Sequence, residues 1–319
     1  MRVTYAEPAA LCGHDGVVSE WQLVAGVERD RLVGLAYRML GTVADAEDAV
    51  QEAFVRWYRL ADQVRADVTN PVGWFAKTTS RVCLDVLKSA SRRHDLYVGP
   101  WLPEPIPDGR FRVTAPLRAR DPAEHAVTAE SVSMALLVVM ESMTPAERVA
   151  FVLRDVFDYP VADIAEVLGR SLGAVRQLAS SARARIGASD AEPSTHGESA
   201  RLTEAFRHAA NTGDVVALLR LLDPGVTLRS DGGGVARAAL NPVHGQDKVA
   251  RFIVGVLTRQ APITLALRET GGGVVLTFER DGTVTGVLEL VTEAGNVRDV
   301  LIQWNPHKLT LWRVADAST

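Results

Sequence analysis

Cysteine is nearly absent from this chain of 319 residues, with Cys12 and Cys83 the only two. Two isolated thiols make neither a disulfide framework nor a metal-ligand pattern, and they fit a reducing compartment. No apolar run is long enough to span a bilayer. The opening MRVTYAEPAALCGHDG lacks the apolar core of a secretory leader. Together these absences predict a cytoplasmic protein without a membrane partner. A basic excess is also missing. The net charge is −4, so contact with nucleic acid has to come from local patches, and affinity for free DNA is expected to be weak. Tyrosine stops early, since Tyr5, Tyr37, Tyr58, Tyr97 and Tyr159 all precede residue 160. His196, His208, His244 and His307 are scattered without a close ligand pair, so neither a metal nor a cofactor is expected.

The length allows about two or three domains. Residues 1–16 read as a loose leader. From Val17 the pattern is helical, with Leu32, Leu35, Ala36 and Met39 at three- and four-residue steps and Gly41 as the stop. Thr42 caps a second helix, ADAEDAVQEAFVRWYRL, with Asp45 three residues on. Ala46, Val50, Ala53, Phe54 and Trp57 line its apolar face. Asp45, Glu47, Asp48, Gln51, Glu52 and Arg56 line the rest. Read alone, such a run is a solvated acidic face. Asn70-Pro71 starts a further helix reaching Arg93. Phe75, Val82 and Val86 can face a core, while Lys77, Arg81, Lys88, Arg92 and Arg93 make it basic. Trp74 and Phe75 place aromatics beside these cations, which suits single-stranded or melting DNA. Core aromatics with a solvated basic face are the alternative at this point.

From His94 to about Asp121 proline is dense, and the segment reads as an extended linker. The WLPEP stretch within it is too specific for a spacer, so Trp101 is expected to dock. A helix resumes near Pro122, and Thr144-Pro145-Ala146-Glu147 opens another that runs to about Phe157. Val161–Ile186 has the spacing of a helix–turn–helix. Ile164, Ala165, Leu168, Val175 and Leu178 sit where two crossed helices need apolar contacts, Gly169 falls at the turn and Ser171 can cap the second helix. Arg176, Gln177, Ser180, Ser181, Arg183 and Arg185 are then left for phosphates and base edges. After a small, polar linker at 188–199 the texture changes. Helices at Ala200–Asn211, Asp214–Leu222 and Gln246–Arg259, a strand at Val226–Arg229, and alternating segments after Pro262 predict an α+β domain whose curved sheet wraps a helix.

The whole arrangement resembles the group IV, extracytoplasmic-function sigma factors. The motifs are LAYRMLGTVADAEDAVQEAF in the first block and TPAERVAFVLRDVFDYPVADIAEVLGRSLGAVRQLASSARARI in the second, and the likeness covers about residues 20–186. WLPEP and the appended domain are similar to the subgroup with a fused SnoaL-like (NTF2-like) C-terminal domain. The resemblance implies two all-α sigma domains, the second with the helix–turn–helix, followed by a cone-like α+β domain. Region 2 would occupy 17–95, the WLPEP linker 96–123, region 4 124–187, a second linker 188–199 and the regulatory domain 200–319.

It further implies partners and roles. Asp45, Asp48, Gln51 and Glu52 would hold the clamp helices of the RNA polymerase β′ subunit, and region 4 the β flap. Trp74, Lys77, Arg81, Lys88, Arg92 and Arg93 would recognise and open the −10 element of promoter DNA. Ser171, Arg176, Gln177, Ser180 and Arg183 would serve the −35 element. Trp101, Asp231, Gly232, Gly233, Asn305, Pro306, His307 and Lys308 would form a regulatory contact between domains. Two positions depart from the subgroup: Val235 stands where its glycine-rich motif ends in Lys, and His307 where Asp is usual. His307 is read as a solvated imidazole.

Two other functions compete. A ligand-responsive repressor or activator would also combine a helix–turn–helix with a sensor domain, but it leaves the acidic and the aromatic-basic helices unexplained. A SnoaL-like isomerase would need a base, for which Asp231, Asp247 and His244 are candidates, and a donor to stabilise an enolate. With no tyrosine in the C-terminal domain the second is missing, so the chain is not expected to be an enzyme. A small-molecule ligand of that domain is the remaining partner the fold class allows.

Overall fold

Gly41 and Thr42 set the first corner of the chain. Gly41 adopts φ +80° and ends α1 (Val18–Leu40), donating its N–H to the Tyr37 carbonyl at 2.7 Å. Thr42 is extended, and its hydroxyl accepts the Asp45 N–H to open α2 (Val43–Tyr58). A short α3 (Asp62–Ala66) and α4 (Pro71–Ala90) complete the first helical block. Asn70 caps α4 by accepting the Gly73 N–H at 2.9 Å. The computed structural model describes residues 18–90, 97–107, 133–187, 196–259, 262–270 and 272–312. Arg92, Arg93 and residues 122–132, where a helix is expected to resume, lie outside the described residues.

The second block opens with α5 (Met134–Glu141) and α6 (Pro145–Phe151). A reciprocal capping box between Thr144 and Glu147, with Pro145 at the first position, starts α6 as the sequence predicts. The expected helix to Phe157 does not stay α-helical. It stops at Phe151 and continues as one π-helical turn, Val152–Val156. Then come α7 (Val161–Leu168), Gly169 in the left-handed conformation, and α8 (Leu172–Ile186) capped by Ser171. The two blocks share one apolar core. Leu35, Met39, Val50 and Cys83 of the first pack with Val149, Leu153, Ile164 and Val175 of the second. Buried Arg148 ties them further, donating to the Met39 carbonyl at 3.1 Å and pairing with Glu141 at 2.7 Å. An orphan carbonyl at the end of α1 thereby gains a charged donor from α6.

In the C-terminal domain α9 (His196–Thr212), α10 (Val215–Leu221) and α11 (Gln246–Arg259) cover one face of a six-stranded sheet. The strands are β1 (Leu222–Asp231), β2 (Val243–His244), β3 (Thr264–Thr270), β4 (Gly273–Arg280), β5 (Thr283–Glu293) and β6 (Asn296–Gln303). Their order is β2-β1-β6-β5-β4-β3; β1 runs parallel to β6 and the other neighbours pair antiparallel. Alternation along β6 sends Val300 and Ile302 to the helical face. Leu301 points the other way, onto Leu102 of the linker and Met134 of α5. The chain end folds back beside that second face as two short 3₁₀ turns. Leu309 and Trp312 cluster there with Val275, Val284 and Val287. The sheet is thus clad on one side by its own helices and on the other by the linker, α5 and the tail.

Candidate functional site

The described linker, residues 97–107, threads between the first helical block and the sheet and bonds to both. On the helical side, Glu104 receives the Val43 N–H at 2.8 Å on its carboxylate, at the start of α2. Its own N–H donates to the Gly41 carbonyl at 2.8 Å, and its carbonyl accepts the Tyr37 hydroxyl at 2.6 Å. Trp101 lies on Gly41 so closely that a Cβ there would come within 2.6 Å of the indole. Glycine is therefore required at 41 twice, for its positive φ and for this approach. Burial and the nearby Glu104 carboxylate push the Tyr37 hydroxyl far above the usual phenol range, so it stays a donor.

On the sheet side the centre is Asp231, fully buried at the end of β1. Its Oδ1 accepts the Tyr97 hydroxyl at 2.6 Å and the Gly233 N–H at 2.9 Å. Its Oδ2 accepts the Leu102 N–H at 3.0 Å, Gln303 Nε2 at 3.2 Å and Lys308 Nζ at 2.8 Å. Lys308, 7% exposed, also donates to the Leu102 carbonyl at 2.7 Å and stands 4.2 Å from the Trp101 ring centroid. Gln303 donates to the Leu102 and Pro103 carbonyls, both at 3.1 Å, and Trp312 Nε1 to Pro105 at 2.8 Å. A buried ion pair persists only with such added hydrogen bonds, since desolvation opposes it. Burial lowers the Lys308 pKa, and the Asp231 charge opposes that shift. Asn305 binds Tyr97 at 3.0 Å through Nδ2, and its Oδ1 accepts the His307 N–H at 3.0 Å. A Cβ on Gly233, at φ +61°, would fall 2.3 Å from that Asn305 amide.

Of the residues expected in an interdomain contact, Trp101, Asp231, Gly233, Asn305 and Lys308 therefore meet here, while Gly232 packs within its own loop, its carbonyl accepting the Val235 and Ala236 N–H groups. The His307 side chain is exposed; the residue contributes its backbone, following Pro306 at the start of the 3₁₀ turn. Val235 is 66% exposed and stands outside the latch. One expectation is corrected. Tyrosine is not missing from the C-terminal domain's surroundings, because the linker carries Tyr97 onto Asp231. Both oxygens of Asp231 accept protein donors. Burial and then the Asp231 hydrogen bond raise the Tyr97 pKa, which keeps it protonated. Sequence reading marked WLPEP but not the role of Glu104 within it, and it missed Tyr37, Tyr97, Gln303 and Trp312, whose partners lie far along the chain.

A second contact, also missed, joins the sheet to the second block. Glu289 of β5 caps α5, accepting the Met134 and Ala135 N–H groups at 2.8 and 3.1 Å. Burial pushes its carboxyl up to about 7, against the pull of those two hydrogen bonds.

The three outer faces differ in access. On α2, Asp45, Asp48 and Gln51 are exposed, and half-exposed Glu52 pairs with Arg56 at 2.9 Å. On α8, Arg176, Gln177 and Ser180 are exposed, the Ser171 hydroxyl caps Ala174 N, and Arg183 pairs with Asp155 at 2.8 Å. On α4, Lys88 is exposed and 3.8 Å from Asp85. Lys77 and Arg81 are instead turned into the seam with α7. Lys77 Nζ lies 2.8 Å from both Asp163 and Glu166, and Arg81 is 3.1 Å from Glu166. Trp74 packs edge-on against Trp57 and Phe75, at 5.0 and 5.3 Å between centroids. It lines a cleft of about 1260 Å³ between the two blocks, with Lys77 and Arg154 among the other walls.

Residues 27–93 match the Sigma-70 region 2 family and residues 133–186 match Sigma-70, region 4. The ECF RNA polymerase sigma factor SigJ of Mycobacterium tuberculosis is 42% identical over 251 residues, 77% of this chain and 74% of that protein. The probable ECF RNA polymerase sigma factor SigI of the same species is 36% identical over 302 residues, 93% of this chain and 96% of its own length. This chain belongs to the ECF RNA polymerase sigma factors. The crystal structure of M. tuberculosis SigJ superposes on it with a TM-score of 0.67 at 35% identity, covering 92% of this chain and 98% of that one.

As an ECF sigma factor the chain serves promoter-directed transcription initiation. The first helical block is sigma region 2 and the second is region 4. The C-terminal α/β domain is joined to both, to region 2 through WLPEP and to region 4 through Glu289 on α5. Among the described residues no helix is long and apolar enough to cross a membrane, and no cluster of His, Cys, Asp or Glu could hold a metal ion.

Proposed function

We propose that this sigma factor is regulated in cis, its C-terminal domain holding regions 2 and 4 in a closed arrangement until core polymerase and promoter favour an open one. The observation that carries this reading is the double bonding of WLPEP. The same few residues bond to the α1–α2 corner through Glu104 and to the buried Asp231–Lys308 pair through Leu102. A domain that merely trailed behind would not bury a charged pair against the linker.

In the open state Asp45, Asp48, Gln51 and Glu52 dock on the β′ clamp helices and region 4 meets the β flap. Trp74, Lys77, Arg81 and Lys88, with Arg92 and Arg93, engage the −10 element by stacking and phosphate contact. Arg176, Gln177, Ser180 and Arg183, with Ser171 at the helix start, read the −35 element in the major groove. The functional units are 17–95, 96–123, 124–187, 188–199 and 200–319, and the protein works in the cytoplasm beside polymerase. On this reading the C-terminal domain acts by contact rather than catalysis. Its candidate bases support that: both Asp231 oxygens take protein donors, Asp247 pairs with Arg251 at 2.9 Å, and His244 Nδ1 lies 3.2 Å from the Thr227 hydroxyl.

Run-off transcription with core polymerase tests this. The full chain is compared with chains ending at Ser199 and at Trp304; the second loses Lys308 and Trp312. Altered transcription in both shortened chains is expected. Equal transcription from all three would overturn cis regulation.

A further inference from the structure

Two cations assigned to the −10 element are paired with carboxylates of region 4. Lys77 and Arg81 lie one turn apart on α4, and Asp163 and Glu166 lie three residues apart on α7, so each pair shares a helix face. Lys77 Nζ is 2.8 Å from Asp163 Oδ1 and 2.8 Å from Glu166 Oε2. Arg81 Nη2 is 3.1 Å from Glu166 Oε1 and donates to the Glu166 carbonyl at 3.2 Å. The acidic residues belong to the first helix of the helix–turn–helix, not to its recognition helix. On the faces for the other two partners Asp45, Asp48, Gln51, Arg176, Gln177 and Ser180 are exposed, while Glu52 and Arg183 are paired within their own regions, with Arg56 and Asp155. Of the three faces, the −10 face is thus the one whose cations, Lys77 and Arg81, are paired across the two regions.

Fold stability does not account for these pairs. The side chains are 26–55% exposed, and pairs of that kind contribute little to folding. Weak, solvent-reachable pairs are suited to exchange. A phosphate can replace a carboxylate at Lys77 or Arg81 without leaving a buried charge behind.

We propose that Asp163 and Glu166 are internal competitors of DNA phosphates for Lys77 and Arg81, so that region 4 blocks the −10 face of region 2 until α7 leaves α4. This rests on the reading of α4 as the −10 helix. The closed form then docks on core polymerase first, through α2, and engages the −10 strand second.

The test measures binding of the full chain to a fluorescein-labelled single-stranded DNA of randomised sequence. Asp163→Asn with Glu166→Gln should bind about five- to tenfold tighter than wild type, because three exposed pairs each bias the equilibrium by a small factor. Adding Lys77→Ala and Arg81→Ala to that variant should remove the gain. Glu204→Gln with Asp247→Asn makes the same change in net charge, on two carboxylates paired with arginines in the C-terminal domain. It should leave binding within about twofold of wild type. The proposal is overturned if Asp163→Asn with Glu166→Gln gives no gain, if the gain survives removal of Lys77 and Arg81, or if the C-terminal pair gives it equally. Run-off transcription separates this failure from failure of the −10 reading. If Lys77→Ala with Arg81→Ala transcribes like wild type, α4 is not the −10 helix.

Discussion

Replacing Lys308 by Met isolates what the buried pair does. The substitution keeps the length of the side chain and removes its ammonium, leaving Asp231 with no exposure and no cation. Breaking a buried pair from one side costs about 3–5 kcal/mol. The lower part of that range applies here, because Tyr97, Leu102, Gly233 and Gln303 still donate to Asp231. At about 2 °C per kcal/mol for a chain of this size, the melting temperature should fall by roughly 5 °C or more. Hydrogen exchange reads the same event locally: the Leu102 and Glu104 amides, which donate across the latch, should lose protection. Asp231→Asn in the Lys308→Met background removes the stranded charge yet keeps an acceptor. The double variant should then recover at least about 1 kcal/mol over the sum of the two single changes. The reasoning is refuted if Lys308→Met melts within about 1 °C of wild type with unchanged exchange at Leu102. It is equally refuted if the two changes simply add.

Four further outcomes follow from the same geometry. Gly41→Ala should destabilise the chain by about 1–3 kcal/mol in a thermal melt, since it meets both a positive φ and the Trp101 ring. Glu104→Ala strips the acceptor from Val43 N and should cost about 1–2 kcal/mol, with faster exchange at that amide. Glu289 has a folded pKa of about 7, above its ordinary 4.5. Its contribution is therefore full below pH 4.5 and is lost as pH rises through about 7, so α5 should dock more firmly at pH 5 than at pH 8. Glu289→Gln should flatten that dependence in melts at the two pH values. Arg176→Ala should weaken binding to a duplex −35 site by about 1–3 kcal/mol in a gel shift with holoenzyme, leaving affinity for core polymerase unchanged.

Legibility in the sequence followed the range of the interaction. Thr42 before α2, the Thr144–Glu147 box before α6 and Gly169 between α7 and α8 act over three or four residues, and each marks its element in the one-dimensional pattern. The β1 strand reads from Val226 but begins at Leu222, because Asp223, Pro224 and Gly225 form an irregular stretch, with Asp223 Oδ1 accepting the Gly225 N–H at 2.7 Å, where the register with β6 shifts. One π turn, Val152–Val156, leaves apolar residues close to helical spacing and is invisible to periodicity. The docking of Trp101 was foreseeable from its apolar surface in a proline-rich tether. That Tyr97 would meet Asp231, 134 residues away, was not. Counting tyrosines by sequence segment failed for that reason: the linker belongs spatially to the domain that follows region 4.

The WLPEP strip touches the α1–α2 corner with one edge and Asp231 with the other, so its two edges share one equilibrium. Linkage then binds them by a single factor. If core polymerase, seated on α2, favours the released strip by some multiple, anything else that releases the strip raises affinity for core polymerase by that same multiple. Under the proposed cis regulation, a substitution at Lys308, remote in sequence from α2, would also change polymerase affinity. On that reading, the strength of the latch and the concentration of polymerase needed to open it would be one quantity measured from two ends.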